Sequence, residues 1–529
     1  MSVRRVMGTE TEFAVSPARG ARYDPVRLSS EVVRAAADSS AAHIRWDYRQ
    51  EDPVNDARGH RVARADAPRE MLTDVPQRTI TNTIAANGGR IYIDHAHPEY
   101  SAPETMDPFE ALAYDRAGEA IMRRAQERAG DRCGSGIRLY KNNVDGKGAS
   151  WGSHENYMML RDVPFDEVAA LMTLHLVTRQ IFIGSGRVGL GERSESSGFQ
   201  LSQRADYIHA PIGLQTTFDR PIVNTRDEPH STDEYRRLHV ITADANRMDV
   251  PQALKLGTTS MLLWMLERSG PSGTALARLL DEVELEDPVE AMHVISHDLT
   301  LGREVALRAG GHATAWQIQV RLLEAVFETA ASSFGTDSRG EPQWPDAPTA
   351  RIMRMWRTAL GDVARVRHAD DTQRLGMEQE ASRLEWLLKW QLLERLRRRG
   401  AGSWRDPRLA EADIRWAALD HSSCVFDRLS ERAVSLCDES DMLRACGQAP
   451  PDTRAWLRSE LVHRFAPQVV AFSWTHVTVR DPGSERGLFT CDMSDPTGFT
   501  RDECADAIAR CDGETMTVAD LLRTITHGR

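Results

Sequence analysis

Two short stretches near the amino end of this 529-residue chain alternate polar and apolar positions with period two, the mark of a half-buried strand. From Arg5 to Val15, Glu10 and Glu12 stand two apart among β-formers and therefore share a face. From Arg90 to Asp94 the same rule puts Arg90, Tyr92 and Asp94 on one side and Ile91 and Ile93 on the other. Apolar residues at helical spacing predict helices over 26–37, 108–129, 167–182, 251–266, much of 287–326 and 377–399. Asp107 stands as a cap before the second of these, and Gly400 ends the last, whose leucines at 384, 387, 388, 392 and 396 read as a core stripe. Residues 137–143 and 150–160 read as a β-hairpin around the turn dipeptide Asp145-Gly146, residues 235–240 as a strand, and 469–479 as one β run containing Trp474. Few positions from 50 to 70 could build a core, which predicts a mobile loop over about 40–80. The Pro/Gly-containing stretch 447–451 divides a region of 1–447 from a small C-terminal domain of 448–529.

Composition narrows the class. A net charge of -12 with 27% charged residues fits a soluble protein that does not depend on a polyanion, so nucleic acid is not an expected partner. Lysine occurs only at 141, 147, 255 and 389, so arginine is the default base and its mere presence says little about recognition. No stretch approaches 18 uninterrupted apolar residues, and Met1-Ser2-Val3-Arg4-Arg5 leads into a strand rather than a signal-peptide core; a cytoplasmic protein away from membranes is expected. Seven cysteines at irregular spacing, without a Cys-x-x-Cys pair, read as reduced thiols.

Two acids on one strand face repel unless a cation lies between them. Hard Mg²⁺ is commonly held by one or two carboxylates together with nucleotide phosphates, so Glu10 and Glu12 point to a Mg²⁺ and phosphate site. The run Asp94-His95-Ala96-His97-Pro98-Glu99-Tyr100 adds two acids, two histidines and a tyrosine directly after the second strand. His154 and Asn156 flank Glu155, and 224–240 crowds Arg226, Arg236 and Arg237 with Asp227, Glu228, His230 and His239, where arginines could clamp a carboxylate or phosphate. Arg204 lies alone in 199–207, and the glycines of 184–189 imply a tight backbone path or an anion nest, but not a P-loop.

With these segments in place, the chain resembles the Pup ligase/deamidase family related to glutamine synthetase. The resemblance rests on Gly8-Thr9-Glu10-Thr11-Glu12-Phe13, Trp46-Asp47-Tyr48, Asp56-Ala57-Arg58-Gly59, Tyr92-Ile93-Asp94-His95-Ala96-His97-Pro98-Glu99-Tyr100-Ser101, His154-Glu155-Asn156, 224–230 and Arg236-Arg237-Leu238-His239. Within the family, 84 positions from Glu10 to Asp94, a linker of only His95-Ala96 and the insertion with Asp56 to Gly59 resemble the deamidase and depupylase branch; the ligase is the alternative. The resemblance implies an α+β, glutamine-synthetase-like fold, with a curved antiparallel sheet backed by helices and a small C-terminal domain. It implies hydrolysis of the C-terminal glutamine amide of Pup to glutamate, and removal of Pup from lysines of conjugated proteins. ATP, or ADP and phosphate, with Mg²⁺ would be the cofactors, and Pup and pupylated proteins the partners of a monomer, with the proteasomal ATPase a further one. By the same resemblance Asp94 is the catalytic carboxylate. Glu10, Tyr92 and Glu99, with Glu12, His154 and His239, are assigned to the metal, and Arg90, Ala102, Asn156, Arg226 and Trp474 to the nucleotide. A local basic groove on an acidic protein is expected to receive Pup.

Overall fold

The computed structural model describes residues 2–17, 23–37, 40–63, 65–67, 81–134, 136–269, 274–511 and 516–527. Ten strands build the two sheets that frame the cavity: β1 (Met7–Glu12), β2 (Arg45–Trp46), β3 (Asn82–Ile84), β4 (Arg90–Asp94), β5 (His97–Ser101), β6 (Ser153–Leu160), β7 (Tyr235–Val240), β8 (Val469–Phe472), β9 (His476–Arg480) and β10 (Leu488–Asp492). Six of them form one antiparallel sheet in the order β7-β6-β1-β5-β4-β3. In this register Glu10 lies between His154 and Ser101, Glu12 opposite Glu99, Tyr92 opposite Glu99, and Asn156 opposite His239. Cross-strand partners share a face, so the period-two alternation sends every one of these side chains to the front.

The back of the sheet is covered by helices α1 (Pro25–Ala36), α2 (Pro108–Cys133) and α4 (Asp249–Ser269), with α3 (Phe165–Thr178) packed against α4. Ile91, Tyr100, Tyr157 and Leu238 point into this layer and are almost fully buried. Asp107 accepts from the amides of Phe109 and Glu110, Pro108 follows it in the first turn, and Gly134 ends α2 in the left-handed region, which is how so long a helix is fixed at both ends. The Tyr100 ring lies where a Cβ on Gly118 would sit, 2.3 Å from that position, so α2 and β5 approach at van der Waals distance and hold Glu99 and Ser101 forward. Leu384, Leu387 and Leu388 join the main core as expected, while Leu396 is largely exposed.

The structure corrects the strand pairing read from sequence. Residues Ile137–Tyr140 do not form a hairpin with β6; they pair with Ala14–Pro17, and β6 lies between β1 and β7. Asp145-Gly146 does turn the chain, but the turn serves a loop. His154 therefore stands opposite Glu10 and Asn156 opposite Gly8. The β run 469–479 is two antiparallel strands, β8 and β9, with Trp474 in the turn between them.

Those strands form a second sheet, β10-β9-β8-β2, in which Arg45–Trp46 runs parallel to β8. The core beneath it gathers Ala41, Ile44, Trp46 and Ile84 with α5 (Ala455–Phe465) and the C-terminal helices. The insertion around residue 56 is partly built into the protein. Asn55–Asp56 and His60–Arg61 make a small ladder, Asp56 is buried and accepts from Thr225 Oγ1 at 2.8 Å, and the Asp227 amide donates to the Asn55 carbonyl at 2.9 Å. The remaining loop positions, 64 and 68–80, lie outside the described residues. Glu104, at the exit of β5, binds Arg454 at 2.8 Å and Arg458 at 3.0 Å, and Arg458 lies 5.2 Å from the Trp474 ring. Through these contacts the second sheet presents Trp474 to the front of the first.

Candidate active site

A cavity of about 700 Å³ opens over the front face, lined by Glu10, Glu12, Arg90, Tyr92, Asp94, Glu99, His154, Arg226, His239 and Trp474 among others. A smaller one of about 80 Å³ adjoins it, walled by Ala102, Asn156, Met158, Pro229, His230 and Trp474. Every residue that the resemblance assigns to catalysis, metal or nucleotide lies on one or both. They were separable by sequence period alone only on β1 and β4; the sheet brings in the rest.

Two groups of donors stand close enough to share an ion. Glu12, Asp94 and Glu99 bring one oxygen each within 4.8 Å of one another, and Glu10, His154 and His239 do the same. Glu12 is held by the Gly152 amide at 2.8 Å and flanked by His97 at 3.3 Å and His154 at 3.4 Å. A Cβ on Gly152 would lie 2.0 Å from His154 Nε2 and 2.7 Å from a Glu12 oxygen, so only glycine leaves these two side chains where they stand. Tyr92 donates its hydroxyl to Glu99, and Asp94 stands half exposed at the mouth, 3.1 Å from His95 Nδ1. His95 itself takes a left-handed backbone, φ 52°, in the two-residue turn to β5.

The electrostatics divide these acids. Burial opposes ionisation of Glu10 and Glu12, but the imidazole of His239 at 3.5 Å from the one, and those of His154 at 3.4 Å and His97 at 3.3 Å from the other, hold both below the ordinary carboxylate range. Glu99 goes the other way: burial, then the charges of Asp94, Glu10 and Glu12, push it well up. The same burial, with Glu99, Glu10 and Asp94, raises the Tyr92 phenol. Burial drives His239 down to about 3 despite Glu10 at 3.5 Å, so it is neutral at pH 7 and has the lone pair that a metal ligand needs. His239 Nδ1 and Nε2 and His154 Nδ1 are buried without a hydrogen-bond partner. Among the described residues, no lysine or arginine comes within 4.0 Å of Glu12, Asp94 or Glu99; Glu12 and Asp94 face histidines, and Glu99 accepts from Tyr92. A hard cation on carboxylate oxygens fits this donor set.

At the other end of β4, Arg90 is sandwiched 3.9 Å from the rings of both Trp46 and Tyr92, and donates to Asn82 and to the Tyr48 hydroxyl. Trp46 meets Trp474 edge to face at 5.2 Å. Asn156 accepts from Arg237 at 2.6 Å, and Arg226 lies 3.7 Å from Glu228. Sequence reading left Tyr48, His97 and Arg220 without a role and missed the inward turn of Arg237. Arg237 and His97 carried a signal, since they stand two residues before His239 and Glu99 on the same strand faces. The cavity is also less basic than expected, because its arginines are interleaved with six acids.

The family model described as Pup-ligase protein matches residues 5–478. The chain belongs to that family. Over 534 residues, covering all of both chains, it is 40% identical to the depupylase of Acidothermus cellulolyticus. It is 41% identical to the Pup deamidase/depupylase of Mycolicibacterium smegmatis over 90% of this chain and 91% of the other, and 36% identical to the Pup–protein ligase of Micrococcus luteus over 76% and 84%. Among solved structures, the complex of Pup with its ligase PafA is similar with a TM-score of 0.74 and 25% identity, covering 99% of this chain and 93% of that one. The Pup ligase PafA in complex with ADP gives a TM-score of 0.68 and 27% identity, over 84% and 90%. The α+β, glutamine-synthetase-like architecture expected from sequence is therefore the fold of this Pup-ligase family member. No helix among its described residues is long and apolar enough to cross a membrane.

Proposed function

We propose that this Pup-ligase family member is a Pup deamidase and depupylase, a hydrolase of the C-terminal side-chain amide of Pup and of its isopeptide bond to lysine. The observation that carries the reading is the open Asp94 carboxylate at the mouth of the cavity, grouped with Glu12 and Glu99, which among the described residues have no lysine or arginine within 4.0 Å. Identity of 40–41% over nine-tenths or more of the chain to proteins named depupylase, against 36% over 76% for the ligase, supports the hydrolytic branch.

An amide carbonyl is a poor electrophile and its nitrogen a poor leaving group, so the site has to supply a nucleophile and return a proton. Asp94 is the group for the first task, either attacking the carbonyl carbon or taking a proton from water. The C–N bond breaks, oxygen from water completes the new carboxyl, and ammonia or the lysine amine departs protonated. Glu10, Glu12 and Glu99, with Tyr92, His154 and His239, would hold Mg²⁺; when bound, that ion polarises the oxygens it touches. Arg90, Arg226 and Asn156 would face the phosphates, and Ala102 and Trp474 the base of ATP or ADP, in keeping with the nucleotide named for the related ligase. Amide hydrolysis is downhill, so the nucleotide acts as a cofactor and is not consumed in proportion. The reading further carries a monomer acting on Pup and pupylated proteins in the cytoplasm, with the proteasomal ATPase as a neighbour; seven free cysteines accord with a reducing compartment.

Mass spectrometry of glutamine-ending Pup incubated with the protein, Mg²⁺ and ATP tests the proposal. A gain of about one mass unit without matching ATP consumption is expected, since the amide becomes an acid. Attachment of Pup to an added protein with stoichiometric ATP use would instead establish a ligase.

A further inference from the structure

Of the arginines that line the cavity, three already face acids: Arg90 lies 3.5 Å from Glu51, Arg226 3.7 Å from Glu228 and Arg237 3.4 Å from Glu228. Among the described residues Arg204 and Arg220 make no ion pair within 4.0 Å, although the charge of Glu12 acts on both from further off. Arg204 is 1% exposed, donates to Ser150 Oγ at 3.2 Å, the Trp151 carbonyl and the Ile241 carbonyl at 2.9 Å, and leaves its Nε without a partner. Arg220 donates to the carbonyls of Thr216 at 3.1 Å and Ser150 at 3.2 Å. Ser150 thus anchors both guanidinium groups, one through its hydroxyl and the other through its carbonyl.

Two adjacent cations whose hydrogen bonds all go to neutral acceptors are costly away from bulk water. Burial and the neighbouring Arg220 push Arg204 down to about 9, where it stays charged at neutral pH. An anion lying against the pair would relieve that cost. Their place in the cavity limits which anion it can be. They share the wall with Glu12, Asp94 and His95, and Thr217, near Arg220, contacts His95 at 3.2 Å. Arg90, stacked between aromatic rings, sits at the far end of β4, about 13 Å from Asp94 at the usual rise per residue of a strand.

We propose that Arg220, backed by Arg204, binds the free α-carboxylate of the terminal residue whose side-chain amide is cleaved, an inference that rests on the amidase reading above. A C-terminal glutamine carries that carboxylate a short aliphatic spacer from the amide carbon. Bringing the carbon to Asp94 brings the carboxylate among acids that repel it, unless cations stand beside it. Arg220 and Arg204 are those cations. They make the terminal position a requirement: an internal glutamine has no α-carboxylate, so it gains nothing from the pair.

The test compares Pup ending in glutamine with Pup whose terminal α-carboxylate is a carboxamide, on the full-length protein and on Arg220→Gln and Arg220→Lys. Deamidation is followed by mass spectrometry and binding by fluorescence anisotropy of labelled Pup. The wild type should lose about ten- to a hundredfold in kcat/KM and in affinity with the carboxamide, as expected for a charge-assisted pair. Arg220→Gln should lose as much with the free acid and discriminate no further, and Arg220→Lys should recover part of the difference. Equal handling of both forms by the wild type, or undiminished discrimination by Arg220→Gln, overturns the proposal. So does a variant that only raises the nucleotide or inorganic phosphate concentration required, which would assign the pair to phosphate. Absence of deamidation by the wild type would refute the amidase reading, while the binding comparison would still decide the role of Arg220; binding of neither form overturns that role too.

Discussion

The two faces of the central sheet use buried carboxylates in opposite ways, although the residues alternate along the same strands. On the back, Glu155 is fully buried and gripped by Arg179 at 2.6 and 3.0 Å, and Glu119 of α2 meets Lys141 at 2.8 Å, Arg116 at 2.7 Å and Arg247 at 3.0 Å. On the front, Glu12, Asp94 and Glu99 converge with histidines and a tyrosine and, among the described residues, with no lysine or arginine within 4.0 Å. A protein that needs a buried acid for structure gives it a permanent cation. One that leaves three acids together without such a cation has the oxygen donor set that a hard divalent ion takes.

The largest expected effect that separates the faces is on Asp94. Replacing it with asparagine should lower the deamidation rate by about a thousandfold or more, while the melting temperature stays near that of the wild type, because the side chain is half exposed and spans no packed contact. Next comes the back face. Glu155→Gln strands Arg179 in a site sealed by Thr259 and the Lys255 carbonyl, and should cost about 3–5 kcal/mol of stability in urea melts. If that variant were as stable as the wild type, the contrast between the faces would fail on its structural side.

Smaller and more diagnostic is the pH dependence of the metal-free protein. Glu99 is raised above its ordinary 4.5, so the folded state holds a proton that the unfolded state has lost, and stability falls as pH rises above that value toward the raised one. Glu10 and Glu12 are lowered, so their contribution is present above 4.5 and lost as the medium becomes more acid. Urea melts between about pH 5 and pH 8 should show a decline in the wild type that Glu99→Gln removes.

Much of the front face was legible because strand period is a strict rule: Glu10 with Glu12, and Tyr92 with Asp94, needed only counting. What escaped notice depended on non-local pairing. Asp145-Gly146 carries strong turn chemistry, yet Ile137–Tyr140 found its partner in Ala14–Pro17, because β6 was claimed on both edges by β1 and β7. Arg45–Trp46 is too short a strand to leave a pattern, and only the sheet of the C-terminal region reveals that Trp46 packs against Arg90 and Trp474. Arg204 was visible as an isolated charge, but nothing local told that Arg220 and Ser150 would stand beside it.

The most direct measurement is the melting temperature of the wild type and Glu99→Gln at pH 8, each with and without Mg²⁺. Acids that repel one another in the absence of the ion predict that the metal-free variant melts above the wild type, and that Mg²⁺ raises the wild type but not the variant. A metal-free variant melting below the wild type, with Mg²⁺ shifting neither, would place Glu99 among the structural acids of the back face and contradict the account.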